Sequence, residues 1–302
     1  GSPSLSGQGA EPPALPSTSA SVEATRPSPG LITSRGSELI RGSIPDVDSA
    51  NPPPAPFELP DVAAAVERVP DGQRPVLVNA AAFEDDRSRP LLSIVLIDDG
   101  TSENIAEALT AVSLPVTFAL PADMPNVAEL ASAYRASGCE GVVLMTEDLS
   151  ADLETLDLDA FNSRMAGVLA AVPGAVGLMD RNSGVLSTNA GIGTAAVDYL
   201  ALSGHGLLVH PRMGLTQLDQ VARAEGVPAV TVGRDVSTAE GALTIGSSLR
   251  RAAVDARSNG TSVVVGQIND TTLTTIVTWA LATENRTVAL SPLTAVLNRV
   301  GL

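Results

Sequence analysis

Residues 91–100 read LLSIVLIDDG, an almost unbroken apolar run that ends in two adjacent carboxylates and a glycine. A short run rich in Ile, Val and Leu with no polar alternation is the pattern of a strand buried on both faces. Asp98 and Asp99 then stand where that strand emerges, and Gly100 lets the chain turn away. In α/β folds chemistry gathers at the carboxyl ends of parallel strands. The pair is therefore the candidate floor of an active site.

The same pattern recurs along the chain. Further apolar runs fall at 116–121, 141–145, 175–179, 206–210, 229–233, 262–266 and 287–290. Amphipathic, Ala-rich stretches separate them at about 102–112, 125–137, 157–171, 189–203, 215–225, 238–258 and 271–284. Thr101-Ser102 and Asp270-Thr271-Thr272 supply N-cap chemistry for two of these helices. Strands that are apolar on both faces, alternating with helices, predict a parallel sheet. Seven or eight such units in about 210 residues favour a β/α barrel somewhat smaller than the standard eightfold one.

Three regions follow. Residues 91–302 form one domain. Residues 59–90 are transitional, with a short helix over LPDVAAAVERV, a short extra strand over PVLVNAAAF and a loop at EDDRSRP. Residues 1–58 are dominated by Pro, Ser, Gly and Ala and cannot bury enough apolar surface to offset their ordering entropy, so they read as a disordered linker. Two uses of that linker stand side by side: a spacer to an anchor, and a tail without a role. The start at Gly1-Ser2, without Met, leaves room for a targeting or anchoring segment ahead of it.

Composition bounds the partners. The chain has 302 residues, 44% of them hydrophobic but only 2% aromatic, so its core must be aliphatic. The net charge is −16 and every basic residue is Arg. That acidity argues against nucleic acid and anionic membrane surfaces, which select basic patches. A single cysteine, Cys139, excludes a disulfide framework and a Cys-based zinc cluster. No run of about eighteen apolar residues is present to span a membrane. Gly-rich phosphate loops and the Gly-x-Ser-x-Gly elbow are also missing.

Four ordered blocks carry a resemblance: IVLIDDG, LPVTFALP, SGCEGVVLMTED and PGAVGLMDRNSG. GHGLLVHPRMG, GVPAVTVGRDV and SVVVGQIND continue the series. Over about 90–297 the chain resembles the divergent polysaccharide deacetylases, a branch of the NodB-like carbohydrate esterases that remove N-acetyl groups from sugar polymers. The resemblance implies a deformed (β/α)7-8 barrel. It also implies a divalent metal, zinc or another, held by one Asp and two His, with a first Asp as base toward the metal-bound water.

Carried over residue by residue, the resemblance makes Asp98 the base and Asp99 the metal ligand. The imidazoles do not carry over. Cys139 stands in the family's Gly-His-Glu, Leu144 stands at a following His, Asp180-Arg181 replaces Asn-His, and Gln267 replaces the His of a late Gly-His. Only His205 and His210 occur in the chain. His210 and Asp180 each end an apolar run, so a rebuilt site of Asp99, Asp180 and His210 can be drawn. Arg181, Arg212 and Arg234 would then hold an anionic group nearby. The other reading of Asp98 and Asp99 is a strand-end pair that caps the next helix. His205 reads as a surface or capping residue at the opposite end of the barrel, and Arg234-Asp235 as a local ion pair or a loop hydrogen bond.

Two classes of function result. One is a degenerate deacetylase-like domain of the bacterial envelope, without a cofactor, that binds a glycan or a periplasmic protein and performs no catalysis. The alternative is an active metal-dependent deacetylase of envelope polysaccharide using Asp98 and Asp99. The count of imidazoles at the barrel top separates them and favours the first. A periplasmic or envelope location follows from the resemblance and the linker.

Overall fold

The computed structural model describes residues 1, 67–85, 87–101, 114–182, 184–211, 217–239, 241–282 and 287–301. The predicted linker, the 102–112 helix and most of the LPDVAAAVERV helix lie outside them.

LLSIVLI forms strand β1, Leu91–Ile97. It is followed by β2 Val116–Pro121, β3 Glu140–Met145, β4 Ala175–Asp180 and β5 Gly206–Val209. Then come β6 Ala229–Thr231, β7 Arg234–Asp235, β8 Thr261–Gln267 and β9 Ala289–Ser291. Every pairing is parallel, in the order β6-β5-β4-β3-β2-β1-β8-β7. β1 is sixth in this order and pairs three other strands. Its upper residues pair β2, from Ile94 opposite Val116 to Ile97 opposite Ala119, while Leu91–Ser93 pair β9 on the same edge. Its other edge runs along β8, from Leu91 opposite Thr261 to Ile97 opposite Gln267.

One short run of chain closes the ring. Val232 N donates to Val209 O of β5, and the next amide, Gly233 N, donates to Val263 O of β8, both at 2.8 Å. The chain thus leaves one edge of the sheet and joins the other within a single residue step. A side chain at Gly233 would sit 2.7 Å from Ser262 Oγ and 3.2 Å from Val263 O, so the crossing needs glycine. The result is the deformed β/α barrel expected from the sequence, with no helix between β6 and β7.

The helices are α1 Pro75–Val78, α2 Val127–Ala136, α3 Glu147–Ser150, α4 Leu158–Ala170, α5 Val185–Thr188 and α6 Ala190–Ser203. They continue with α7 Leu218–Ala224, α8 Ala242–Asn259, α9 Asp270–Leu281 and α10 Leu293–Val300. Side-chain oxygens start several of them. Asp157 accepts from Ala160 N at 2.9 Å, Asn189 from Gly191 N and Ile192 N, and Asn269 from Thr272 N. Gly204 and Gly260 end α6 and α8 with φ of 75° and 84°. The short strand expected over Pro75–Phe83 is not formed. Pro75 opens a helical turn there, and with no sheet edge to join, Val76 buries its side chain in the barrel interior.

Period-two alternation divides the core. Leu92, Ile94 and Leu96 of β1 face the helices, while Leu91, Val95 and Ile97 face the barrel interior. α10 stops the lower end with Leu293, Val296 and Leu297. Beside it the buried Glu140 carboxylate accepts from Ala81 N at 2.9 Å and Thr294 N at 3.0 Å. The hydroxyls of Thr117 and Thr294 also donate to it. Burial raises the Glu140 pKa, and these donors oppose the rise. Glu140 therefore serves the base of the barrel, away from the carboxyl ends of the strands.

Candidate functional site

The alternation that builds the core also decides which strand-end residues reach the mouth. Ile97 faces inward, so Asp98 faces outward and Asp99 inward. Asp98 is fully buried beneath α2. Its Oδ2 accepts from Tyr134 Oη at 2.5 Å and its Oδ1 from Gly100 N at 2.8 Å. Tyr134 is itself buried and stacks on Phe118 of β2, with ring centroids 3.5 Å apart. Burial, then the Asp98 contact, pushes the Tyr134 hydroxyl far above its ordinary range, so it stays protonated as the donor. Tyr134 carried no signal in the sequence beyond its place on an amphipathic helix.

Asp99 is exposed at the rim. Its Oδ1 accepts from Thr101 N at 3.2 Å and Thr101 Oγ1 at 2.6 Å. Its Oδ2 accepts from Gln267 Nε2 at 3.2 Å, across the β1–β8 pair. The residue at the late-histidine position is thus an amide donor to Asp99.

A cavity of about 280 Å3 opens beside Ile97, the last residue of β1. Ile97, Leu144 and Met179 give it an apolar floor, and Arg181, Asn182, His210 and Asp235 stand around it. His210 directly follows β5 and is only 5% exposed. Its Nδ1 stands 3.5 Å from Asp235 Oδ2, and Asp235 Oδ1 accepts from Ser237 N and Oγ at 2.9 and 2.6 Å. Burial lowers the His210 pKa and the Asp235 carboxylate opposes it, so the ring is neutral at pH 7.

Asp180 does not join Asp99 and His210. It is the outward-facing end of β4, fully buried, and its Oδ2 accepts from Ser187 N of α5 at 3.0 Å. The turn closes over it so tightly that a side chain at Gly184 would fall 1.8 Å from Asp180 Oδ1. Burial pushes its pKa up to about 6 against the α5 amides.

Arg181 is exposed at the mouth. Arg234 points away from it: Nε and Nη2 both donate to Asp255 Oδ2 of α8, at 3.0 and 2.8 Å. Arg234 and Asp235 therefore form no ion pair with each other, because adjacent strand residues point to opposite faces; Arg234 pairs with Asp255, and Asp235 makes the loop hydrogen bonds to Ser237. Arg212 lies outside the described residues. His205 sits at the lower end as expected but is half-buried, with Nδ1 3.1 Å from Ser203 Oγ. Burial lowers its pKa to about 4.

A divalent metal does not fit the donors of the described residues. Among the described residues no three His, Cys, Asp or Glu side chains converge on a common point. Asp99 faces an amide donor, His210 faces Asp235, and Leu144 offers only carbon. Asp99 and Gln267 offer an acceptor and a donor at the rim, and Asn182 and Asp235 offer both beside the apolar floor of the cavity. No described helix is long and apolar enough to cross a membrane.

The profile of the divergent polysaccharide deacetylases matches residues 94–297. No curated protein sequence matches the chain. Among solved structures, an uncharacterized protein of Agrobacterium tumefaciens superposes with a TM-score of 0.64 at 18% identity, covering 80% of this chain and 99% of that one. The catalytic domain of a peptidoglycan N-acetylglucosamine deacetylase from Eubacterium rectale aligns at 12% identity and a TM-score of 0.44, covering 70% and 91% of the two chains. A family 4 carbohydrate esterase from Streptomyces lividans, solved with acetate, aligns at 15% and 0.41, covering 67% and 91%.

Proposed function

Because the chain belongs to the divergent polysaccharide deacetylase family, we propose that its barrel mouth binds a glycan of the cell envelope without deacetylating it. The observation that carries this reading is the Asp99–Gln267 hydrogen bond at 3.2 Å. It puts an amide donor against the inward carboxylate of β1, where hydrolysis by a metal-bound water would need a cation. An amide and a carboxylate side by side are instead a donor and acceptor pair for sugar hydroxyls and N-acetyl groups. The neutral His210 and the fixed Asp235 extend that pair around the rim. The periplasm or envelope as its location, and a glycan in preference to a protein partner, belong to the same proposal.

The test uses the full chain with chitooligosaccharide and peptidoglycan fragments. Binding is expected by calorimetry, with no acetate released and no stoichiometric zinc by elemental analysis. Asp99→Ala should weaken binding roughly tenfold, as loss of a charge-assisted hydrogen bond entails. Stoichiometric zinc together with acetate release that vanishes in Asp99→Ala would establish the active deacetylase instead. Absence of binding to every fragment would remove the glycan reading.

A further inference from the structure

The lower end of the barrel, opposite the carboxyl ends of the strands, holds a cavity of about 340 Å3. It opens where the turns from α4 into β4 and from α6 into β5 come beside α1. We propose that this cavity binds a small uncharged ligand with an apolar body and one carbonyl group, which accepts a hydrogen bond from the Tyr199 hydroxyl.

Tyr199 lines the cavity from α6 and is only 4% exposed. Its hydroxyl has no partner among the described residues, yet the oxygen is not sealed off, so the surface it keeps opens on the cavity. Burial pushes its pKa up to about 12, so at neutral pH it is a donor. A hydroxyl fixed by a nearly buried ring and left without an acceptor calls for one.

The lining selects the kind of acceptor. No charged side chain lines the cavity among the described residues. His205 holds Nδ1 3.1 Å from Ser203 Oγ, and burial lowers its pKa to about 4, so the ring adds no charge at pH 7. Asn79 Nδ2 donates to Ala175 O at 3.3 Å. The nearby Arg135 Nη1 is turned to the carbonyl oxygens of Asn79 and Gly174, at 3.3 and 3.4 Å. An ion entering the cavity would lose hydration and meet no counter-charge in the lining. Leu169, Val172 and Pro173 form an apolar wall, against which a polyol would leave most of its hydroxyls unpaired. A carbonyl on an apolar body meets neither penalty. The volume lies near the lower end of the usual range for small-molecule sites, roughly 300–1,000 Å3.

The experiment titrates the full chain with benzamide, benzoate and benzylamine, probes that share a ring and differ in charge. The readout is the ring NMR signals of the two histidines, which His205→Asn assigns. Benzamide should move the His205 signal and leave that of His210, at the mouth, in place. Benzoate and benzylamine should bind at least about tenfold more weakly. Tyr199→Phe keeps the ring and removes only the donor, so it should weaken benzamide about fivefold, the loss of one neutral hydrogen bond. Ala170→Trp, at an exposed position on the edge of the cavity, should block it. The proposal is overturned if benzamide leaves His205 unmoved or moves only His210. It is equally overturned if Tyr199→Phe binds as tightly as the parent, if the shift survives Ala170→Trp, or if either charged probe binds as tightly as benzamide. Glycan binding at the mouth is tested apart from this, by Asp99→Ala.

Discussion

Asp98 and Asp99 are neighbours in sequence with opposite surroundings. Strand alternation sends Asp98 into the layer beneath α2 and Asp99 to the rim. The buried one depends on a single hydroxyl for Oδ2, so Tyr134→Phe removes a donor that water cannot replace. That substitution should cost about 1–3 kcal/mol in urea unfolding at pH 7. Asp99→Ala, at an exposed position, should stay within about 0.5 kcal/mol of the parent. Equal small losses for both would mean that the Tyr134–Asp98 contact contributes nothing net. The sequence marked both carboxylates but could not separate them, because the two roles depend on which face each residue takes and on a partner 36 positions away.

At the scale of elements, β4 and β5 meet through two glycines. Gly177 pairs Gly206 in register, and a Cβ on Gly177 would lie 2.6 Å from Gly206 O. Backbone atoms in a parallel ladder cannot swing aside as a side chain can. Gly177→Ala should therefore cost about 1–3 kcal/mol in chemical denaturation. Gly141→Ala on β3 is the control, since its nearest neighbour is Val172 Cγ1 at 3.8 Å, an ordinary contact. A tolerated Gly177→Ala would show that β4 and β5 can separate freely. Most strands and helices of the barrel were legible from apolar periodicity alone. α1 was not, because four residues of Val, Leu and Pro fit a strand or a helical turn equally well, and only the lack of a sheet edge decides.

Over the whole molecule, two titrating groups at opposite ends of the barrel, one buried and one half-buried, set opposite pH dependences. His205 at the base has its pKa lowered from 6.5 to about 4, so the stability it contributes is present above pH 6.5 and declines as pH falls toward 4. Asp180 at the top is raised from 3.8 to about 6, so its contribution is present below pH 3.8 and is lost as pH rises through 6. Between pH 4 and 6 the two slopes offset each other. His205→Gln removes one of them, so that variant should lose stability relative to the parent as pH rises from 4 to 6.5. Asp180→Asn should do the reverse. Thermal melts across this range check both, and a His205→Gln profile parallel to the parent's would count against a buried neutral imidazole.

The sequence by itself determined that apolar strands alternate with helices, that the sheet is parallel, and that two carboxylates stand at the end of the first strand. Periodicity and burial act locally, so a linear pattern suffices for them. The sequence also showed that imidazoles are scarce. What it left open is convergence. Asp99, Asp180 and His210 all sit at strand ends, yet Asp180 faces outward under α5, and His210 stands 3.5 Å from Asp235, which follows the run of chain that closes the ring. Gln267 reaches Asp99 only because β1 and β8 are aligned so that Ile97 lies opposite Gln267. Which strand ends meet is set by register and barrel closure, long-range geometry that no local stretch of sequence encodes.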